Sequence, residues 1–184
     1  VSAINFVPFT FVQPSCHGLC NGSITGNISG SVGPYTVTVN SSGTFAVPAG
    51  ISTFTNLCAG VNTFVIVDTK GCTRTFTPTL TQPAALGTNS VVQNVICNAA
   101  CNGSLSVSPT GGTPGYTVTF APGGTFTVPA SGTASLTGLC PGAINVTITD
   151  VNTCTFSTSA NITQPPALTV TPTQTNITCG GLCN

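Results

Sequence analysis

The feature that most constrains this chain is a cysteine motif that occurs three times. The copies are Cys16-His-Gly-Leu-Cys20-Asn-Gly-Ser, Cys97-Asn-Ala-Ala-Cys101-Asn-Gly-Ser and Cys179-Gly-Gly-Leu-Cys183-Asn. The first cysteines of successive copies are 81 and then 82 positions apart. A fixed period of this length is typical of tandem structural repeats. The chain therefore contains two complete repeat units and the start of a third.

Other recurring residues place the unit boundaries. Unit 1 covers residues 1–83, with its opening strand at 3–15, and unit 2 covers residues 84–165. Each unit closes on a Gln-Pro pair. Residues 166–184 are expected to be the opening strand and cysteine turn of a third, truncated repeat. No Ser/Gly-rich linker separates the units, so we expect them to abut closely and to form a stiff array.

Short apolar runs, separated by turn residues, fill each unit. In Tyr35–Val39, for example, Tyr, Val and Val alternate with Thr. Thr, Val, Ile and Phe favour strands, whereas Glu and Met are absent from the chain. The strands predicted for unit 1 are Val7–Val12, Ser23–Ser29, Tyr35–Val39, Gly43–Pro48, Ser52–Leu57, Thr63–Val67 and Cys72–Thr81. Seven short strands with frequent turns predict an all-β chain of tandem β-sandwich domains.

The near absence of charge excludes several kinds of partner. Only Asp68, Lys70, Arg74 and Asp150 carry a formal charge, and the net charge is zero. Without a basic patch we expect no binding to nucleic acid or to anionic lipid. No apolar run reaches the roughly 18 residues of a membrane span, so we expect no membrane insertion in this segment. An uncharged surface tends to associate, and the expected partners are further repeats of the same chain and identical chains in a filament.

The residue inventory argues against an enzyme. His17 is the single histidine, and the abundant serines have no recurring His/Asp partners to act as a base. Asp68 and Asp150 recur at one place, but one carboxylate per unit is too few for a calcium site, and a turn-forming role is favoured. We therefore expect no catalytic residue, no cofactor and no metal.

Ten cysteines in 184 residues indicate an oxidising compartment. We expect the protein to be secreted and extracellular, on a cell surface. The segment carries no recognisable signal peptide and stops inside a third repeat, so we expect it to be a fragment of a longer chain.

Several short motifs recur with the cysteines. They are Cys-x-x-x-Cys-Asn-Gly-Ser, Gly33-Pro-Tyr-Thr-Val37 with Gly115-Tyr-Thr-Val118, Leu-Cys-x-Gly at 57–60 and 139–142, Val67-Asp-x-x-Gly-Cys72, and a closing Thr-Gln-Pro. In these residues the chain resembles the SprB-type repeat of the gliding-motility surface adhesins of Bacteroidetes. The resemblance covers both units. It implies immunoglobulin-like domains in a very large secreted protein carried on the cell surface.

The implied fold constrains the disulfides. In an immunoglobulin-like sandwich, the loop after the first strand and the loop before the sixth share one end, which brings Cys16, Cys20 and Cys58 together. Cys72 opens the last strand at the opposite end, roughly 23 Å from Cys58 across a strand of about seven residues. The resemblance thus implies a Cys20–Cys58 disulfide and, by repetition, Cys101–Cys140.

The partner of Cys16 stays open at this point. One alternative is a bond with Cys72 inside unit 1, and the other is a bond with Cys154 between units. Cys97 is also among the cysteines expected to form disulfides, and Cys179 and Cys183 would await a third domain. The Cys-x3-Cys spacing also suits zinc, but cysteines divided between two ends in an oxidising medium favour disulfides.

Seven Asn-x-Ser/Thr sequons make candidate glycosylation sites. They are Asn21, Asn27, Asn40, Asn102, Asn145, Asn161 and Asn176. Together these features predict a structural repeat segment of a long extracellular filament or adhesin stalk, stiffened by disulfides. The alternative is an adhesive module that binds surfaces or polysaccharide directly. An expected lack of charged and exposed aromatic side chains favours the structural role.

Overall fold

The computed structural model describes residues 3–40 and 43–175. The strands in these residues are β1 (Asn5–Val12), β2 (Gly22–Ser29), β3 (Tyr35–Val39), β4 (Thr44–Val47), β5 (Gly50–Leu57), β6 (Gly60–Val61), β7 (Phe64–Val67), β8 (Thr73–Phe76), β9 (Thr79–Leu80), β10 (Gly87–Gln93), β11 (Gly103–Thr110), β12 (Tyr116–Ala121), β13 (Thr125–Val128), β14 (Ala134–Leu139), β15 (Gly142–Thr149) and β16 (Thr155–Ile162). Within this described part, no helix long and apolar enough to cross a bilayer occurs.

Each unit is a sandwich of two antiparallel sheets. In unit 1 the sheets run β1-β2-β5 and β4-β3-β7-β8, and a short β6-β9 pair lies beside them. In unit 2 they run β10-β11-β14 and β13-β12-β15-β16. The fourth strand of each unit pairs with the third, whereas in an immunoglobulin constant domain it lies in the other sheet. The predicted fold class, tandem immunoglobulin-like β-sandwiches, is confirmed.

The two units have separate hydrophobic cores. In unit 1, Tyr35, Val37 and Val39 point inward from β3 and are buried, and in unit 2 Tyr116 and Val118 do the same from β12. The alternation predicted for these strands is therefore present in both. Because each core is small, cross-links can contribute a large share of each unit's stability.

A tyrosine hydroxyl ties the third strand of each unit to the preceding turn. Tyr116 donates a hydrogen bond to the carbonyl oxygen of Gly111 at 2.7 Å, and Tyr35 donates to Gly30 in the same way. Gly111 has φ +66°, and a side chain there would overlap the carbonyl of Ala85. Glycine is therefore required at the turn, because other residues rarely adopt this conformation and none would fit.

Unit 1 adds an aromatic cluster to its core. Phe6 on β1 lies with its ring centroid 6.2 Å from that of Phe54, 5.5 Å from Phe64 and 5.7 Å from Phe76. Gly26 on β2 makes room for it, since a Cβ there would overlap the Phe6 ring. Phe6 thus faces the core, while Phe9 and Phe11 of the same strand face outward.

The last hairpin of unit 1 is broken into the short strands β6 to β9, whereas the last hairpin of unit 2 consists of two continuous strands, β15 and β16. A single strand was predicted over Cys72–Thr81, but β8 and β9 are separated at Pro78, which has no N–H to donate to a ladder. The N–H of Asn62 instead donates to the carbonyl oxygen of Pro78 at 2.8 Å. Unit 2 has Ile144 paired with Ala160 at these places, and β15 and β16 run unbroken.

The strand predicted at the start of a third repeat is wrong for the described residues. Residues 166–175 carry no strand. In unit 2 the opening strand β10 forms its backbone hydrogen bonds with β11. Among the described residues, no strand is available to pair with residues 166–175 in the same way. Cys179, Cys183 and Asn176 lie outside the described residues.

Candidate functional site: the disulfide joint between the units

Three disulfides are present in the described residues. Cys20–Cys58 and Cys101–Cys140 each lie within one unit, with Cα–Cα distances of 4.0 Å and 3.9 Å. The third joins Cys16 of unit 1 to Cys154 of unit 2, with Cα atoms 5.8 Å apart and a sequence separation of 138. Of the two pairings left open for Cys16, the structure has the one between units.

The motif cysteines therefore do not act as one cluster. Cys16 and Cys20 bond to different partners, and a sulfur in a disulfide is not a thiolate ligand for zinc. Cys72 and Cys97 are exposed and unbonded in the described part of the chain.

A tight turn after β1 positions Cys16. The N–H of Leu19 donates to the carbonyl oxygen of Cys16 at 3.2 Å, and Gly18 supplies the positive φ, +75°. Asn21 holds the preceding residue by accepting from the Ser15 N–H at 2.9 Å and donating to its hydroxyl oxygen at 2.8 Å. The Asn-Gly pair of the repeated motif thus helps to fix the orientation of Cys16.

A carboxylate positions Cys154. One oxygen of Asp150 accepts from the backbone N–H groups of Asn152 and Cys154, each at 2.9 Å. Its other oxygen accepts from the N–H of Thr113 at 2.8 Å. Asp150 is 4% exposed, and these three donors replace the water that burial removes. The turn-forming role predicted for this aspartate is confirmed.

Asp68 does the same in unit 1, accepting from the N–H groups of Lys70 at 2.9 Å and Cys72 at 2.8 Å. The Ser31 hydroxyl donates to its other oxygen. This hydroxyl lowers the pKa of Asp68, and the two backbone N–H groups lower it further, while burial partly offsets them. The charged form is therefore the one that the hairpin stabilises.

Direct contacts accompany the disulfide across the joint. The side-chain amide of Asn152 donates across the joint to the carbonyl oxygen of Ser15 at 3.1 Å, and within unit 2 to the hydroxyl oxygen of Thr113 at 2.9 Å. The sulfur of Cys154 lies 3.5 Å from the same Ser15 oxygen, a contact without a hydrogen because the sulfur is bonded to Cys16. The second unit is thus held at two adjacent points on one turn of the first.

The segment between the units is also fastened. Gln82 accepts from the N–H of Gly18 at 2.8 Å, and Gln13 accepts from the N–H of Thr81 at 2.6 Å. His17 is exposed, and its Nδ1 lies 3.3 Å from the carbonyl oxygen of Pro83. These contacts restrain residues 81–83, which connect the two units.

Sequence reasoning missed the roles of Gln82 and Gln13, and the recurring Thr-Gln-Pro was an available signal for Gln82 alone. Unit 2 repeats the contact, since Gln164 accepts from the N–H of Ala99 at 2.8 Å. An open cavity of about 450 Å³ borders the joint, lined by Cys16, Leu19, Leu86 and Cys154 among others. Within the described residues no group of three potential metal ligands occurs. The disulfide and the hydrogen bonds around this cavity hold the two units together.

The sequons differ in how their amides are used. Asn27, Asn145 and Asn161 are exposed on strands. Asn40 instead donates its amide to the buried Asn62 at 2.8 Å. The Asn21 amide is bound to Ser15, as described above, and Asn102 accepts from the N–H of Ile96 at 3.3 Å. Glycosylation stays a prediction.

The expected lack of exposed aromatic side chains is wrong for unit 1. Phe9, Phe11 and Phe45 are 55%, 40% and 52% exposed. Phe45 lines a groove of about 330 Å³ with Val39, Val47 and Phe54. Its counterpart in unit 2, Phe126, is partly buried against the core. Exposed rings are therefore a property of the first unit.

The fold and the joint define a tandem immunoglobulin-like repeat module with a covalent link between units. The family described as SprB repeat matches residues 89–125, from β10 to the start of β13. This match confirms, for those residues of unit 2, the resemblance predicted from the motifs. No curated protein sequence matches the chain.

Three solved structures show a loose likeness. A C-terminal 282-residue fragment of intimin, in complex with the intimin-binding domain of its translocated receptor, has a TM-score of 0.40 at 14% identity; the match covers 89% of this chain and 64% of the fragment. DIP-gamma IG1+IG2 has a TM-score of 0.40 at 10% identity, covering 87% and 97%. Domains 4 and 5 of the S-layer protein SbsC have 0.34 at 15%, covering 88% and 99%. The fold assignment rests on the strand order above.

Proposed function

We propose that this chain is a structural segment of a secreted extracellular filament or adhesin stalk in which a disulfide locks each unit to the next. The observation that carries the proposal is the Cys16–Cys154 bond, which joins residues 138 positions apart in different units. A disulfide needed only for the stability of one small domain would lie inside that domain, as the other two do.

The bond changes how such a stalk would carry tension. A pulling force that reaches Cys16 passes through the disulfide to Cys154, so residues 17–153 lie in a covalently closed loop. Unfolding of that loop cannot lengthen the chain. The Gln82 and Asn152 contacts support the same role, because they hold the joint in place when no force acts.

The surface supports an assembly role as well. With only two acidic and two basic side chains, neighbouring chains repel one another very little. Side-by-side packing of identical chains in a filament is then limited by shape rather than by charge. The disulfides support secretion, because such bonds persist in an oxidising compartment.

Single-molecule pulling from the two chain ends tests the proposal. In Cys16→Ser, unfolding should release the 138 residue steps between the two cysteines, less the 38 and 39 closed by the internal disulfides, which leaves 61. These amount to roughly 200 Å of additional contour length. The wild type and the matched control Cys97→Ser, which removes an exposed unbonded thiol, should lack this gain. Equal contour lengths in all three proteins would end the proposal.

The exposed rings favour a second function, an adhesive module that binds polysaccharide or another surface directly. The Phe45 groove presents an aromatic face of the kind on which a sugar ring can stack. A glycan array and a surface-adhesion assay on the full chain test it, with Phe45→Ser as the variant. Binding that is lost in Phe45→Ser supports this function, and absence of binding by the wild type contradicts it.

A further inference from the structure

Unit 1 has an apolar groove at a place that an aromatic ring fills in unit 2. In unit 2 the rings of Phe120 on β12 and Phe126 on β13 lie edge to face, with their centroids 5.6 Å apart. The strand registers place Val39 of β3 where Phe120 stands and Phe45 of β4 where Phe126 stands. Because valine lacks the ring, unit 1 has a groove of about 330 Å³ at this place.

The groove is lined by apolar side chains and by uncharged polar ones. Val39 and Phe54 are 5% and 6% exposed, whereas Phe45 is 52% exposed. A ring that met Phe45 edge to face would take the arrangement that aromatic pairs prefer and would remove the apolar surface of Phe45 from water. The groove therefore fits an aromatic ring that comes from outside the unit.

A β-bulge on the opening strand of the same unit exposes such a ring. The register of β1 against β2 shifts between Pro8 and Thr10, so Phe9 has no partner residue of its own. A bulge at a sheet edge redirects a side chain, and Phe9 is 55% exposed. In unit 2 the strand β10 pairs without a shift and contains no phenylalanine. The exposed ring on the opening strand and the exposed Phe45 thus occur together in unit 1, and unit 2 has neither.

Phe9 cannot fill the groove of its own unit. The strands β1 and β5 are the two edges of the sheet β1-β2-β5, so roughly 10 Å of sheet separates them. Phe54 and Thr55 on β5 line the groove, whereas Phe9 is exposed at the opposite edge. The ring and the groove therefore lie on opposite sides of unit 1, and the ring that enters the groove belongs to another unit.

The next unit along the chain covers neither surface. The groove of unit 1 is open although unit 2 is joined through the Cys16–Cys154 disulfide. Val91 lies on β10 as Thr10 lies on β1, and it is 70% exposed although unit 1 precedes it. The joint thus leaves the opening strand of the following unit uncovered. A partner for Phe9 therefore lies beside the row of units rather than in line with it.

We infer that Phe9 of one copy of this chain inserts into the groove of unit 1 of a second copy, beside Phe45, at the place that corresponds to Phe120. This inference rests on the proposed structural function and names the two surfaces through which identical chains pack side by side. Because the ring and the groove are different surfaces on opposite edges, the contact leaves one free ring and one free groove at the ends of a row. Rows of chains can therefore extend sideways without closing.

A single contact of this kind is weak. A phenylalanine side chain buries about 150–250 Å², and its exposed neighbours Phe11 and Val12 can add to this area. A stable interface takes about 800 Å² from each partner, so one ring in one groove forms a dimer only at high concentration. No residue of β1 and none that lines the groove is charged, so no repulsion opposes the contact. Repeated along two stalks, such contacts act together and hold the stalks in a bundle.

Sedimentation velocity tests the inference on the full chain with its free thiols alkylated, which prevents links through cysteine. The wild type should form dimers and longer oligomers as its concentration is raised to the millimolar range. Phe9→Ser removes the ring, and Val39→Phe fills the groove with the side chain that unit 2 has there. Each variant alone should stay monomeric. An equal mixture of the two should give dimers and nothing larger, since the first keeps the groove and the second keeps the ring.

Val91→Ser is the matched control, because it removes an exposed apolar side chain from unit 2 and should associate like the wild type. Near-UV circular dichroism checks that Val39→Phe is folded, and Phe45→Ser, which removes a wall of the groove, should also stay monomeric. A monomeric wild type, or association that persists in Phe9→Ser or Val39→Phe, would overturn the inference. Glycan binding that Val39→Phe loses and Phe9→Ser keeps, without self-association, would assign the groove to a sugar instead. None of these outcomes changes the contour length gained in Cys16→Ser, so the proposed function would still stand.

Discussion

The side chain of Asn152 donates a hydrogen bond to the carbonyl oxygen of Ser15, 137 positions earlier in the chain, at 3.1 Å. It lies next to the Cys16–Cys154 disulfide and couples the last hairpin of unit 2 to the first turn of unit 1. Because its acceptor is a backbone atom, the contact does not depend on which side chain stands at position 15. It holds the two sulfurs near each other before they bond.

Asn152→Ala should therefore weaken the formation of the joint without unfolding either unit. A hydrogen bond contributes about 0.5–1.5 kcal/mol, so the equilibrium constant for Cys16–Cys154 formation in a glutathione buffer should fall about twofold to tenfold. Quantitative peptide mapping of the oxidised fraction measures this. Asn145→Ala, at an exposed position on β15, is the matched control and should leave the constant unchanged. A similar fall in both variants would assign the effect to something other than the joint.

The Cys20–Cys58 disulfide should dominate the stability of unit 1. It closes a loop with a sequence separation of 38, and loss of such a cross-link costs on the order of 4 kcal/mol. In Cys20→Ser/Cys58→Ser, amide hydrogen exchange in β2 should accelerate about a thousandfold, while exchange in β11 of unit 2 stays slow. The matched pair Cys101→Ser/Cys140→Ser should reverse this pattern. Equal acceleration in both units from either variant would contradict separate cores.

The melting temperature should be nearly independent of pH from mildly acidic to neutral conditions. Hydrogen bonds from Ser31 and the hairpin lower the pKa of Asp68 in the folded state, below the value of about 3.9 for an unfolded chain. The unfolded state then binds more protons near that pH, so this stabilisation is complete above about pH 5 and is lost as the pH falls through the folded pKa. Calorimetry should show the fall below about pH 4, reduced in Asp68→Asn. A shift of many degrees between about pH 5 and pH 7 would refute this account.

Asn62 should matter more than other asparagines of unit 1. It is 1% exposed, donates to the carbonyl oxygens of Cys58 and Gly60 at 3.1 Å each, and accepts from Asn40 at 2.8 Å. Asn62→Ala leaves these groups without a partner, which should lower the free energy of unfolding by about 1–3 kcal/mol. Denaturant unfolding measures the change. The exposed Asn27→Ala is the control, and an equal effect of the two substitutions would argue against a structural role for Asn62.

Most of the fold could be predicted from local sequence patterns. The alternation in Tyr35–Val39 predicted both the strand and its buried face, and recurrence at Tyr116 extended that prediction to unit 2. The short turns were visible as Asp, Gly and Asn at fixed places. The prediction failed where a single residue interrupts a predicted strand. Pro78 does so because it has no backbone N–H to donate to the neighbouring strand. Such effects depend on the neighbouring strand, which a single run of residues does not specify.

The joint was harder to predict because it depends on how two folded units meet. The repeat shows that Cys16 and Cys154 lie at opposite ends of equivalent units, but it leaves a bond to Cys72 equally open. The decisive contacts, Gln82 to Gly18 and Asn152 to Ser15, involve common polar residues whose roles appear only once the units are placed together. Exposure of Phe45 was likewise hidden, since its counterpart Phe126 is partly buried.

Disulfide mapping after tryptic digestion tests the central claim most directly, because the chain has only one lysine and one arginine, Lys70 and Arg74. After free thiols are alkylated and the protein is denatured, trypsin yields the fragments 1–70, 71–74 and 75–184, which carry Cys16, Cys72 and Cys154 respectively. We predict that fragments 1–70 and 75–184 stay joined until a reductant is added, through Cys16–Cys154. Fragment 71–74 joined to fragment 1–70, with 75–184 released, would show a Cys16–Cys72 bond inside unit 1 and would contradict the account.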